Sequence, residues 1–465
     1  MKTCYTTNYL QKEYFKETEF EILDDASSRK SEITVDVENV KQTLVGFGGA
    51  FTEAAALNYA SVGPELREKI MKMYFDPKEG IGYQLGRMAI NSCDFARSNY
   101  TYIRKKAKDL RTFTIRREMR YIVPMINDAT KYAPDLEMKA APWSPPRHWK
   151  TNENMNEGGK LLRAYYGIWA NYMLKFVTEM RKEGVPLKYL SVQNEPEATQ
   201  TWDSCVYTPE EEMELIKIVG KKIERKDLDL KIIALDHNRD ILEKWVKAFA
   251  VDEEALKYTW GFGIHWYVSE DFDALRRAKE ILPDKEIIFT EGCVEGGPRP
   301  YAIETGERYA RNIIGDLSNG CIGYIDWNLL LDENGGPNHV GNYCDAPILV
   351  AKKNKDAEKV EEPVSDENER TDYIVDETIE KELIVNSSYY YIGHFSKFLR
   401  RGSKIVNVKN DDSRLEVLAG INQDQKQVCV ICNPTDDVIN YQIGGLKETI
   451  EGLILPHTIQ TWIVE

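Results

Sequence analysis

The chain has 465 residues, 42% of them hydrophobic and 29% charged, which suits one large globular domain with a smaller one beside it. Its 76 acidic against 61 basic residues give a formal charge of −15, which argues against nucleic acid or an anionic membrane surface as the main partner. The amino terminus lacks the apolar stretch of a secretory signal, and no run reaches transmembrane length. The eight cysteines are too sparse for a disulfide framework, so a cytoplasmic location with reduced thiols is expected.

In chain order, short alternating runs at 20–23 and 33–37 predict strands with no helix between them. From Leu44 the texture changes, and apolar strands are predicted at 44–50, 83–90, 136–143, 187–192, 231–236, 261–267, 286–291 and 321–328. Amphipathic helices follow them at 64–74, 115–132, 161–183, from Thr208, 241–250, 272–282, 302–317 and 389–400. Eight strand-plus-helix units predict an α/β fold, a (β/α)8 TIM barrel over 44–400. From Lys404 the helices stop and short strands return at 404–409, 414–421, 426–433, 438–443 and 458–464, the texture of a β-sandwich. Residues 1–43 and 401–465 are therefore expected to build one β-sandwich side domain from both chain ends. Residues 352–382, dense in Lys, Glu and Asp, read as a solvated charged insertion in the barrel.

Cys429 and Cys432 form a C-x-x-C pair inside a predicted strand, where residues three apart face opposite ways, which speaks against a redox or metal pair. The six histidines show no metal-ligand spacing, and neither metal nor organic cofactor is expected.

The ends of the barrel strands carry the chemistry. The strand at 187–192 runs straight into Gln193-Asn194-Glu195-Pro196, and proline must stop it there. A carboxylate at the end of a buried strand is paired or used. Other strands end at Asp94, at Trp143, at His265-Trp266-Tyr267, at Glu291 and at Asp326-Trp327-Asn328. All would face the carboxyl-terminal mouth of the barrel, where this fold gathers its catalytic groups. Two carboxylates from separate strands, Glu195 and Glu291, ringed by Trp and Tyr, suit glycoside cleavage. Taken singly, Trp143 and Trp327 also fit core aromatics and His265 a structural histidine. Glu197 and Asp203 compete with Glu195 for the acid role but lie in the loop beyond Pro196.

Eight stretches carry a further resemblance: GFGGAFTEAAAL, INSCDFARSNYTY, APWSPPRHWKTN, QNEPEATQTWDSC, IHWY, FTEGC, DWNLLLDENGGPNHVGN and IGHFSKF, running from residue 46 to 398. In these the chain resembles glycoside hydrolase family 30, close to its glucosylceramidase branch. The resemblance implies a retaining double displacement, with Glu195 as general acid/base and Glu291 as nucleophile. It implies sugar contacts at Asp94, Trp143, Asn194, Tyr267, Trp327 and Asn342, with Arg87 and Tyr267 holding the nucleophile ionised and His265 as a supporting neighbour behind them. Retention needs carboxyl groups about 5–5.5 Å apart, against roughly 6.5–9.5 Å for inversion. The expected substrate is a soluble β-glucoside or related oligosaccharide. The charged stretch and the absent signal point away from a membrane glycolipid. A β-1,6-glucanase, a β-xylosidase, a β-fucosidase and a non-catalytic carbohydrate-binding protein are the alternatives on this scaffold, and the oligomeric state is open.

Overall fold

The structure, a computed structural model, describes residues 2–18, 30–104, 109–353 and 380–465. Eight parallel strands close into a barrel in chain order: β1 (Gly46–Ala50), β2 (Leu85–Ile90), β3 (Glu137–Pro142), β4 (Leu187–Ser191), β5 (Lys231–Asn238), β6 (Thr259–His265), β7 (Glu286–Glu291) and β8 (Cys321–Asn328). Parallel neighbours need a crossover, and amphipathic helices supply it on the outside. Helix Tyr166–Lys182 buries Trp169, Tyr172, Met173, Phe176, Val177 and Met180 on one face, as its 3.6-residue periodicity requires. Helix Pro209–Lys226 opens with a capping box, in which Thr208 and Glu211 each accept the other's backbone N–H.

Two expected helices are shorter than their apolar pattern. The one expected from residue 161 starts at Tyr166, because Leu161 pairs with Lys150 in an isolated bridge and a 3-10 turn, Arg163–Tyr165, intervenes. The one expected from 115 is α-helical over Ile122–Tyr132, which leaves Pro124 in the first turn, where its missing N–H costs nothing. Below the mouth, Leu85, Tyr189, Ile233, Ile288, Ile322 and Ile325 form an apolar cluster contributed by barrel strands. β1 lies so close to β2 that a Cβ on Gly48 would stand 1.9 Å from the Leu85 carbonyl oxygen.

Both chain ends build one nine-stranded sheet, with Lys2–Asn8, Glu13–Thr18 and Ser31–Thr43 hydrogen-bonded among six strands from Lys404 onward. The sheet folds over on itself into two layers. Trp462 and Tyr441 lie on strands that are not neighbours, yet the Trp462 Nε1–H donates to the Tyr441 hydroxyl at 2.7 Å across a shared apolar core. One of its strands, Ile450–Ile454, escaped the sequence reading, whereas the run at 20–23 lies outside the described residues. Cys429 packs into the sandwich core and Cys432 into the barrel-side core, on opposite faces of their strand. All eight cysteines are free and buried.

After β8 the chain adds a small sheet of Leu330–Asp332, Ile348–Lys352 and Lys381–Val385, unanticipated because its strands are short. The charged stretch 352–382 joins the last two of these strands, and its greater part, 354–379, lies outside the described residues. Among the described residues no helix is long and apolar enough to cross a membrane.

Candidate active site

Past Ser191 the chain crosses the mouth, tied to the strands on either side. The Asn194 N–H donates to the Pro142 carbonyl (2.8 Å) at the end of β3, and the Glu195 N–H to the Asp236 carbonyl (2.9 Å) on β5. These two bonds hold Glu195 in a left-handed conformation, φ 47°. β5 is irregular at the same level: Leu235 and Asp236 have φ 68° and 52°, and the pairing with β6 slips between Leu235 and His237. The Leu235 N–H is satisfied by the buried Glu212 carboxyl at 3.2 Å. Left-handed non-glycine residues cost about 1–3 kcal/mol each, and bulges of this kind re-aim side chains. Here the side chain that is re-aimed is Asp236.

Arg87 on β2 stands at the centre, fully buried. Its Nη1 donates to the Thr290 carbonyl (2.6 Å) and lies 3.0 Å from Glu291 Oε2; its Nη2 donates to Asn194 Oδ1 (2.5 Å) and reaches Asp236 Oδ2 at 3.3 Å. The guanidinium is flanked by the rings of Trp143 at 5.0 Å and Trp327 at 5.4 Å, which stack on one another 5.3 Å apart. Lys139 on β3 donates to Asp236 Oδ2 at 2.6 Å. Against the upward push of burial, Arg87 and Lys139 hold the Asp236 carboxyl well below the usual carboxylate range. Burial and Arg87 pull the Lys139 ammonium down to about 7.

The two glutamates have different surroundings. Burial raises Glu291, but Arg87, the Tyr267 hydroxyl (3.0 Å to Oε1) and Lys139 oppose it. Burial and the nearby Glu291 charge push Glu195 well above the usual range. Of the pair, Glu195 is the one that keeps a proton. His265, on β6, agrees with this. Its Nε2 lies 3.1 Å from Asp236 Oδ1 and its Nδ1 lies 3.1 Å from Glu195 Oε1, while burial pulls the ring down to about 3 and keeps it neutral. An anionic Asp236 can only accept, so the ring proton sits on Nε2 and the Nδ1 lone pair faces Glu195. The Glu195 carboxyl is then the donor across that contact.

The remaining sequence-predicted residues fall on the same mouth. Asn342 Nδ2 donates to Asp94 Oδ2 at 2.9 Å, and burial pushes Asp94 up to about 7. The Tyr267 backbone is pinned by Asn238 Oδ1 at 2.9 Å, just past β6, and Trp327 by the Gly292 carbonyl at 3.0 Å. The competitors separate from the cluster. Glu197 is ion-paired to Lys244 at 2.6 Å and accepts from Trp245, and Asp203 accepts from Ser92 at 2.6 Å. Sequence reading missed Lys139, Asp236 and His237 as members of the site. The local signal available was Asp236, a carboxylate that ends the apolar run Ile232-Ile233-Ala234-Leu235, whereas Lys139 shares its strand with Glu137.

The chain matches the glycosyl hydrolase family 30 TIM-barrel domain over residues 44–361. It is 30% identical to the lysosomal acid glucosylceramidase of Mus musculus over 453 residues, 92% of this chain and 82% of that one. It is 25% identical to an endo-1,6-beta-D-glucanase of Neurospora crassa, covering 91% of this chain and 86% of that one. Among solved structures, SrfJ from Salmonella typhimurium superposes with a TM-score of 0.87 at 31% identity, over 100% of this chain and 99% of the other. The endo-beta1,6-glucanase BT3312 shares the fold, with a TM-score of 0.85 at 23% identity over 100% of this chain and 99% of the other.

Proposed function

Because the chain belongs to glycosyl hydrolase family 30 and is a glycoside hydrolase, we propose that it releases glucose from a soluble β-glucoside by double displacement with retention. The observation that carries this reading is the unequal pair: a proton-holding Glu195 beyond β4 and an Arg87-paired Glu291 ending β7. Glu291 attacks the anomeric carbon while the Glu195 proton passes to the leaving oxygen, forming a glycosyl ester on Glu291. Esterification removes the negative charge that helps hold the Glu195 proton, so its pKa falls and it takes a proton from the attacking water. Hydrolysis of the ester then restores both carboxyl groups. Arg87 holds Asn194 beside Glu291, where its amide meets the sugar 2-hydroxyl. Trp143 and Trp327 offer apolar faces to the ring, and Asp94 with Asn342 takes further hydroxyls. Eight free, buried thiols support a reducing compartment, and we place the enzyme in the cytoplasm.

The test is a panel of aryl β-glucoside, β-xyloside, β-fucoside and β-galactoside beside a β-1,6-glucan, with NMR of the first-formed sugar anomer. Fastest turnover of the glucoside with the β-anomer appearing first is expected. The α-anomer appearing first would overturn retention. Preference for the glucan over every aryl substrate would replace the exo-glucosidase reading with the activity named for the Neurospora relative. Sugar binding without turnover would reduce the protein to a carbohydrate-binding module.

A further inference from the structure

Glu195 Oε1 faces two imidazole nitrogens. His265 Nδ1 is 3.1 Å away and His237 Nδ1 is 3.9 Å away, and the three ligand atoms lie within 4.8 Å of one another. Donor atoms around a tetrahedral zinc-class ion, with bonds of about 2.0–2.1 Å, are separated by about 3.3 Å, so these spacings bracket a ligand shell. His237 comes from the irregular end of β5, one residue beyond the left-handed Asp236. The residue is 8% exposed, and among the described residues its Nδ1 has no hydrogen-bond partner. An unspent buried nitrogen aimed at a carboxyl is a costly feature to keep in a fold.

The surroundings suit a metal as well as a proton. Asp236 grips His265 through Nε2, which turns the Nδ1 lone pair toward Glu195 and orients the ring as a carboxylate–histidine–metal arrangement does. Burial pulls His237 down to about 4 and His265 to about 3, so both rings are unprotonated near neutral pH. Two imidazoles with one carboxylate favour zinc-class ions over magnesium or calcium, which take oxygen donors.

We propose that Glu195, His237 and His265 form a binding site for one divalent transition-metal ion, and that its occupation shuts off hydrolysis by displacing the Glu195 proton. The metal is an inhibitor here and not a resident cofactor. Binding converts the Glu195 carboxyl to a metal carboxylate and releases one proton to solvent. No electrons move, and a solvent molecule completes the four-coordinate shell. The effect on turnover rests on the acid role given to Glu195, whereas the site itself does not.

Chelator-stripped protein should be dialysed against Zn2+ and, separately, Co2+, using wild type, His237→Ala and His237→Gln, with each variant's melting temperature recorded. Wild type is expected to bind one equivalent of Zn2+ more than either variant. It should show the intense visible absorption of four-coordinate Co2+, and Zn2+ should inhibit it at least about tenfold more tightly than it inhibits the variants. Counting the difference between wild type and variant removes any metal held by thiols elsewhere. Equal stoichiometry and equal spectra in all folded forms would overturn the site, whatever turnover does. The extra equivalent bound with turnover untouched would overturn the blocking step and the acid role of Glu195, and leave the metal site standing.

Discussion

Among the described residues, the guanidinium groups of Arg87 and Arg239 are both fully buried, and they serve different ends. Arg239, just past β5, donates to Asp316 at 2.7 Å, to Asn312 at 2.8 Å and to the Ser269 carbonyl at 3.1 Å, and lies over Phe272. One cation meets one carboxylate and fixed neutral acceptors, an arrangement that pins helix Ile303–Ser318 to the end of β5. Arg87 is shared between Asp236 and Glu291, touches Asn194, and has Lys139 as a second cation on the same Asp236. Within reach of this network are a neutral histidine and the protonated Glu195. A one-to-one pair holds position. A shared cation lets the proton distribution among its neighbours change during a reaction without unburying any charge.

That contrast can be broken from either side. The largest effect is expected from Glu291→Gln, which keeps the shape of the site and removes the nucleophile. kcat should fall on the order of 10^4-fold or more, beyond the range of a lost general acid, measured on an activated aryl β-glucoside. Arg87→Lys keeps the charge and loses the planar fork that reaches Asn194, Asp236 and Glu291 together. A drop of roughly 10^2–10^3-fold in kcat/KM is expected from steady-state kinetics. Arg239→Ala, by contrast, should destabilise the fold by about 3–5 kcal/mol in denaturant unfolding, because Asp316 is left buried and unpaired. The pH profile of its folded fraction should match that of wild type.

Asp236→Asn probes the electrostatics with a smaller change. Asp236 raises both glutamates, so deleting its charge favours their ionised forms and lowers both pKa values. The acid limb of kcat/KM, set by Glu291, and the basic limb, set by Glu195, should both move to lower pH. A basic limb that stays in place would sever Asp236 from the Glu195 proton. Asp94→Asn should have the smallest effect on the rate at the pH optimum. It removes an upward push on Glu195 no smaller than that of Asp236, so the basic limb again shifts to lower pH, and the KM for the aryl glucoside rises a few-fold through loss of a hydroxyl contact.

The parts of this molecule that could be read from the chain are those in which a local pattern has a local cause. A buried parallel strand needs a continuous apolar run, as in Ile287-Ile288-Phe289, and a covering helix needs its stripe, as in Trp169, Tyr172 and Phe176. Glu195 and Glu291 stood out because a carboxylate at the end of such a run has no packing explanation. Asp236 ends the run Ile232-Ile233-Ala234-Leu235 in the same way and belonged with them, whereas nothing local distinguishes Lys139 and His237 as side chains that turn into the barrel. The bulge at Leu235–Asp236 compounds this, because a slip in pairing reverses which side chain points inward.

Strand and helix order, the polar strand ends and the use of both chain ends in one sheet were therefore determined by sequence alone, through periodicity and turn chemistry. Which glutamate holds the proton was decided only by tertiary structure. Residues 87, 139, 195, 236, 265 and 291 come from six different barrel strands or strand ends, and closing the barrel places them in one buried cluster. Burial and charge act through space, so a carboxyl's affinity for its proton is a property of that closed arrangement and of no single stretch of chain.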